Sequence, residues 1–275
     1  MAGKTEEERH RGHGGFHSSR EEPSFRVGAG VTEPYGAERQ AETPTAGRAT
    51  DHVRRAAVLL AVWAGLTGIV IAIGFAVVHS STVNAFDRHI TSTVVAHRTP
   101  ALNSGMKALT WLGSWVALVI TGAIVLVLAF RRRLVWLAVL LAVVAWAGES
   151  GGVWLAKHLV QRQRPPEDIW VKSAHGWSWP SGHTAVAVVV FVVLAMVVTH
   201  FMRSRIAQGA TWTAAVVAIA AVGFSRIELG VHWTTDVLAS VVFVSGWLGA
   251  TVTLFARELG AADDHELSTT PDLPE

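Results

Sequence analysis

Residues 56–78 read AAVLLAVWAGLTGIVIAIGFAVV, an unbroken apolar run without one charged side chain. As a helix rising 1.5 Å per residue, such a run covers the ~30 Å hydrocarbon layer of a bilayer. Five further runs repeat the pattern, at 111–130, 134–156, 184–200, 207–224 and 233–255. The runs at 184–200 and 207–224 are the shortest, and their ends are the least defined. The expected fold class is therefore all-α: a polytopic membrane protein built as a bundle of six transmembrane helices over residues 53–257.

The composition of the 275-residue chain agrees. Hydrophobic residues make up 51% and charged residues only 16%, with a mean hydropathy of +0.37, whereas soluble domains are nearer a quarter charged. A net charge of +2 gives no reason to expect a nucleic-acid partner. Cysteine is absent, which excludes disulfides and cysteine–metal sites. Residues 1–52 are rich in Gly, Glu, Arg, His, Pro and Thr; such a segment cannot bury enough apolar surface to offset its ordering entropy and is expected to be a disordered tail. His10, His13 and His17 within it are read as solvated side chains rather than a metal site. Residues 258–275 form a second polar tail, with Asp263, Asp264 and two prolines.

Basic residues flank alternate ends of the runs: Arg54 and Arg55, Arg131–Arg133, Arg203 and Arg205, and Arg257. If these ends are cytoplasmic, both tails are inside and the loops 79–110, 157–183 and 225–232 are outside. The outer loops carry as many Lys and Arg residues, but Lys157, Arg164 and Arg226 have a chemical reason to be there, and discounting them restores the bias. Trp111, Trp115, Trp136, Trp212 and Trp233 fall near run ends, where an amphipathic ring is favoured. Trp170, Trp177 and Trp179 lie in the outer loop, either in the headgroup layer or in loop packing.

Three short motifs stand at those outer ends. Near the last run, His232 and Asp236 are four apart, so they share a helix face. A carboxylate there accepts a hydrogen bond from one ring nitrogen, fixes the tautomer and leaves the other nitrogen as a better nucleophile; a helix-capping His–Asp pair is the plain alternative. Ser225-Arg226 ends the preceding run, and the short link 227–231 keeps Arg226 near His232. A guanidinium matches two phosphate oxygens, although a lone Arg at a helix end more often snorkels. Pro180-Ser181-Gly182-His183 opens the fourth run. Its free backbone N–H groups favour an anion, Gly182 permits close approach, Ser181 can donate to a phosphate oxygen, and a protonated His183 can supply a proton to a leaving alcohol; a Ser N-cap beside a surface histidine is the alternative. Lys157 ends the third run, and Arg164-Pro165 follows after six intervening residues. Arg162 is read as a headgroup contact. Glu149, an intramembrane carboxylate, is expected to pair with Lys157 or a neighbouring helix. Gly148, Gly151 and Gly152 are expected to allow close helix packing. Each motif alone has a mundane explanation; all three on one side of the membrane do not, and they define an active site at one membrane face.

Lys157-x6-Arg164-Pro165, Pro180-Ser181-Gly182-His183 and Ser225-Arg226-x5-His232-x3-Asp236 together resemble the full signature of the type-2 phosphatidic acid phosphatase superfamily, which also includes bacterial acid phosphatases and vanadium haloperoxidases. The motifs span 157–236, and the run pattern extends the likeness to about 55–256. The resemblance implies that His232 attacks phosphorus and forms a phosphohistidine, Asp236 orients it, and His183 protonates the leaving group and then activates water. It assigns the phosphate oxygens to Lys157, Arg164, Ser181, Gly182 and Arg226. It implies no cofactor and no metal, and a lipid phosphate or diphosphate substrate (phosphatidate, phosphatidylglycerol phosphate or undecaprenyl diphosphate) met at the outer face of the cell membrane among membrane lipids. Two rivals use the same residues differently: a phosphotransferase with another acceptor, and a transporter or binding protein that only holds a phosphorylated lipid. The sequence gives neither the oligomeric state nor a role for Asp87, Arg88, His89 and Arg98.

Overall fold

The computed structural model describes residues 44–131 and 135–268, with side chains over 53–131 (129 aside) and 142–255. Most of the stretch expected to be a tail, His10, His13 and His17 with it, lies outside the described residues, as do Arg132, Arg133, Leu134 and 269–275; the Trp136 side chain does too. Among the described residues there is no strand. Eight α-helices follow in order: α1 (Pro44–His79), α2 (Ser81–Ala96), α3 (Pro100–Leu109), α4 (Trp115–Arg131), α5 (Val135–Val160), α6 (Gly182–His200), α7 (Arg205–Glu228) and α8 (Thr234–Ser268).

Over the described residues each of the six apolar runs is mainly helical, but their number as membrane spans is four or five by length and apolarity among the described residues. Val53–His79, Gly182–His200, Arg205–Glu228 and Thr234–Phe255 each suffice. Pro100–Gly113 and Trp115–Leu128 suffice only as a pair, bent by 44°. The expected straight span at 111–130 is thus broken at a 3-10 turn, Thr110–Gly113. The break has a packing cause: a Cβ on Gly113 would strike the carbonyl of His183 and the Val222 side chain, so this turn lies directly on the first turn of α6. Large apolar side chains such as Ile120, Val217 and Val242 remain more than half exposed, which suits a lipid solvent.

The segment 79–110, expected as a loop, instead holds α2 and α3. Both starts carry cap chemistry: Ser80 Oγ accepts from Val83 N–H at 3.3 Å, and Thr99 Oγ1 accepts from Leu102 N–H at 3.1 Å with Pro100 following. Asn84 on α2 donates to the last carbonyls of α1, Val77 at 3.2 Å and Val78 at 3.0 Å, groups the helix leaves unpaired.

The core lies among α1, α5, α6 and α8, where Val70, Val153, Ala156, Val188, Phe243 and Val244 are buried. Small residues on α5 set the spacing as expected. A Cβ on Gly148 would enter the Trp247 ring and one on Gly152 the Phe243 ring; Gly151 meets only ordinary contact with Trp63. Trp179 does not reach headgroups. It is 1% exposed, and its indole N–H donates to the Val70 carbonyl on α1 at 3.1 Å, which fastens the outer segment to the core just ahead of Pro180. Trp111 and Trp115 are exposed.

Candidate functional site

The turn between α7 and α8 is built tightly. Arg226 lies in the last turn of α7, and its carbonyl accepts from both Val231 and His232 N–H at 3.2 Å. Gly230 makes this possible at φ +74°, a conformation that costs a residue with a side chain 1–2 kcal/mol. His232 is thereby delivered to the mouth of α8, 2% exposed. Its Nδ1 pairs with Asp236 Oδ2 at 3.2 Å, one helical turn on. The same oxygen accepts from Trp233 N–H at 2.9 Å. With Nδ1–H donating to the carboxylate, Nε2 presents its lone pair, and Arg164 Nη1 faces it at 3.1 Å.

Arg164 is held by carbonyls. Its Nη1 also donates to Val231 O (2.6 Å), Nε to Gly176 O (2.8 Å) and Nη2 to His175 O (2.9 Å) and Trp177 O (3.3 Å). Burial lowers its pKa, with Asp236 acting in the opposite sense. Lys157, in the last turn of α5, donates to Trp177 O at 2.6 Å and to Ser178 O at 3.4 Å. Arg226 is 4% exposed and donates to Thr110 Oγ1 at 2.7 Å, while its Nε is buried without a partner. An open donor inside a pocket is one that a ligand oxygen can take.

The second motif meets the third through the backbone. Ser181 N–H donates to the Asp236 carbonyl at 3.2 Å, and Ser240 Oγ donates to the Ser181 carbonyl at 2.9 Å. Ser181 precedes α6 but makes no side-chain cap bond. Its Oγ accepts from Thr184 Oγ1 at 3.0 Å, and among the described residues no acceptor takes its own O–H. The capping explanation for Ser181 therefore fails, and the first N–H groups of α6 remain open. His183 and Gly182 line a groove of about 430 Å³ between α4, α5 and α6, with Lys157, Trp115, Trp146, Glu149 and Val153. The structure thus brings all eight candidate residues of the three motifs to one end of the bundle.

The electrostatics are one-sided. Burial first, and then the charges of Lys157, Arg164, Arg226 and His183, push the His232 pKa well below its usual 6.5. The ring is held neutral. Among the described residues no cluster of three or more His, Asp or Glu side chains is arranged to hold a metal ion.

Two expectations are corrected. Arg162 is no headgroup contact: it is 4% exposed and bridges two carboxylates, Asp236 Oδ1 at 2.7 Å and Asp87 Oδ2 at 2.6 Å. Gln161 just before it takes φ +51° as α5 ends, a reversal at the point where the chain turns from helix to Arg162. Among the described residues Glu149 pairs with neither Lys157 nor another helix; its Oε2 accepts from Ser150 at 2.9 Å. Residues missed from sequence are Asp87, Asn84, Thr110 and Thr235. None of them carries a local signal: α2 is mostly exposed, and Asp87 is one of its two buried positions.

The chain is similar to known proteins in sequence and in fold. Residues 133–259 match the PAP2 superfamily. The chain is 32% identical over 164 residues to phosphatidylglycerophosphatase B of Bacillus subtilis strain 168, covering 59% of this chain and 80% of that protein. It is similar to the crystal structure of a transmembrane PAP2-type phosphatidylglycerolphosphate phosphatase from Bacillus subtilis, with TM-score 0.58 at 26% identity, over 75% of this chain and 97% of the other. The crystal structure of Aquifex aeolicus LpxE aligns with TM-score 0.47 at 20% identity, over 61% of this chain and 93% of that one.

Proposed function

The chain belongs to the PAP2 superfamily, on its membrane lipid-phosphatase branch, and from that premise we propose that it hydrolyses a lipid phosphate through a phosphohistidine on His232. The observation that carries this reading is the division of labour on one ring: Nδ1 anchored on Asp236 and Nε2 turned toward the Arg164 fork. Nε2 attacks phosphorus, and the P–O bond to the lipid alcohol breaks. The departing oxygen takes a proton from His183. Bound phosphate supplies the negative charge that makes a proton on His183 favourable amid the cations. Water then returns a proton to His183 and attacks phosphorus; the P–N bond breaks and inorganic phosphate leaves. Lys157, Arg164, Arg226, the Ser181 hydroxyl and the α6 N-terminus hold the oxygens, and preorganised positive charge is the largest expected term in the rate. No step calls for a cofactor.

The groove beside His183 supports a lipid substrate. It lies between α4, α5 and α6, with Lys157 and His183 at one end and Leu118, Trp146 and Val153 along its wall, so a phosphate beside His183 has apolar wall next to it. Phosphatidylglycerol phosphate is the first substrate to try, because two similar proteins carry that activity in their names; phosphatidate and undecaprenyl diphosphate follow. Both tails are placed in the cytoplasm, and the site on the extracytoplasmic face, on the strength of the arginines at the opposite helix ends.

The test is phosphate release from these lipids in detergent micelles. His232→Ala should abolish it, and release at the wild-type rate refutes the assigned nucleophile. Vanadate should inhibit as a five-coordinate mimic, and chelation by EDTA should leave the rate unchanged.

A further inference from the structure

The signature motifs account for His232, Asp236 and the cations, but not for the second carboxylate buried beside them. Asp87 on α2 is wholly buried, and it belongs to none of the motifs. Its Oδ2 accepts from Arg162 Nη2 at 2.6 Å and from Thr235 Oγ1 at 2.5 Å, and its Oδ1 accepts from Thr235 N–H at 3.1 Å. The other guanidinium nitrogen, Arg162 Nη1, donates to Asp236 Oδ1 at 2.7 Å and to Thr235 Oγ1 at 2.7 Å. Asn84 Oδ1 accepts from Arg162 Nη2 at 3.2 Å. A continuous chain of short polar contacts therefore runs from α2 to the ring: Asp87, Arg162, Asp236, His232.

We propose that Asp87 is a positioning residue for the nucleophile, acting through Arg162 and Asp236. This rests on the reading of His232 given above.

The physics is charge sharing. One guanidinium stands between two buried carboxylates, so the trio carries a net negative charge in a place water does not reach, where such charges are felt strongly. Asp87 draws part of the Arg162 donation away from Asp236. Without Asp87, Arg162 would neutralise Asp236 alone, and Asp236 would accept more weakly from His232 Nδ1–H. The ring would lose orientation and Nε2 would lose basicity. Asp87 also accepts the N–H of Thr235, in the first turn of α8, so it fixes the backbone from which Asp236 projects. It touches none of the groups assigned to phosphate. Its effect should therefore fall on the chemical step and not on lipid binding, a separation that a purely structural role would not produce.

The experiment measures phosphate release and rapid-quench phosphoenzyme formation with radiolabelled phosphatidylglycerol phosphate in micelles, with folded enzyme quantified by gel filtration. Asp87→Asn is expected to lower kcat per folded molecule by about ten- to a hundredfold, as loss of outer partners does at other buried sites. KM should stay within about twofold, and phosphoenzyme formation should slow more than its hydrolysis. Wild-type kcat in the folded variant overturns the proposal, as does a raised KM with kcat unchanged. Should Asp87→Asn fail to fold, Thr235→Val keeps both carboxylates and their direct bonds to Arg162 and removes the hydroxyl that makes the second link between Asp87 and Arg162. It is then expected to slow phosphoenzyme formation severalfold, and formation at the wild-type rate overturns the proposal. His232→Ala is run alongside. If that variant releases phosphate normally, the nucleophile assignment itself has failed. If it is inactive while Asp87→Asn is unimpaired, only the role of Asp87 falls.

Discussion

Asp236→Asn replaces one oxygen with NH₂ and changes nothing else in size, yet the surroundings of Asp236 leave the amide no good orientation. One carboxylate oxygen accepts from His232 Nδ1 and Trp233 N–H, and the other accepts from Arg162. An asparagine has a single acceptor oxygen. The charge-assisted bond from Arg162 is the stronger claim on it, so the amide NH₂ should turn toward His232 and Trp233. It can then only donate to Nδ1, which must become the acceptor, and the ring proton moves to Nε2. The nitrogen that should attack phosphorus then carries a hydrogen. A wrong-tautomer histidine lowers turnover by about 10⁴ in a serine-protease triad, or about 5 kcal/mol of barrier, and a loss of that order is expected here. Lipid affinity should change little, because none of the phosphate donors is touched. Steady-state phosphate release with purified, folded variant gives the answer. A kcat within about tenfold of wild type would show that the Nδ1–Asp236 contact does not set the tautomer, and the account of the nucleophile would have to be abandoned.

Because burial and the cations Lys157, Arg164 and Arg226 hold the His232 pKa well below 6.5, the ring stays neutral at pH values where an ordinary histidine charges. The acid limb that His232 contributes to kcat/KM should lie below pH 6.5. The fold should lose stability as pH falls under about 6.5, by at most about 1.4 kcal/mol per pH unit from this group, since the unfolded chain binds that proton and the folded one does not; thermal unfolding against pH, with His232→Ala as control, reads the difference. Gly230→Ala should destabilise by about 1–3 kcal/mol, from its positive φ and from a Cβ that would strike the Ile169 carbonyl and Arg98; an unchanged melting temperature would contradict the turn geometry. Arg164→Lys should raise KM and lower kcat together by at least about tenfold, since a lysine cannot hold the carbonyls of Gly176, His175 and Val231 while facing His232 Nε2; kinetics near wild type would mean that a point charge suffices there.

The apolar runs and the three motifs were legible because each is written locally: hydropathy in windows, and reactive residues at fixed offsets. The rest depends on distant pairing. Asp87 stands in an ordinary stretch of α2, and only the fold brings it to Arg162, itself hidden among the unspecified positions between Lys157 and Arg164. The 3-10 break ahead of α4 arises where Gly113 meets the first turn of α6, a contact 70 residues away in sequence that the continuous apolar run conceals. The caps at Ser80 and Thr99-Pro100 are local signals for the two helices within 79–110. The position of Trp179 leaves headgroup layer and loop packing open, and only its burial against α1 decides for packing.

The dependence of Arg162 on Asp87 and of Arg226 on Thr110 has a practical corollary for dissecting this protein. Both acceptors precede residue 133, where the match to the PAP2 superfamily begins. A fragment trimmed to 133–259 would retain every signature residue and still strand two guanidinium groups, each short of an oxygen it now holds. The smallest piece worth expressing for enzymology therefore starts no later than α2.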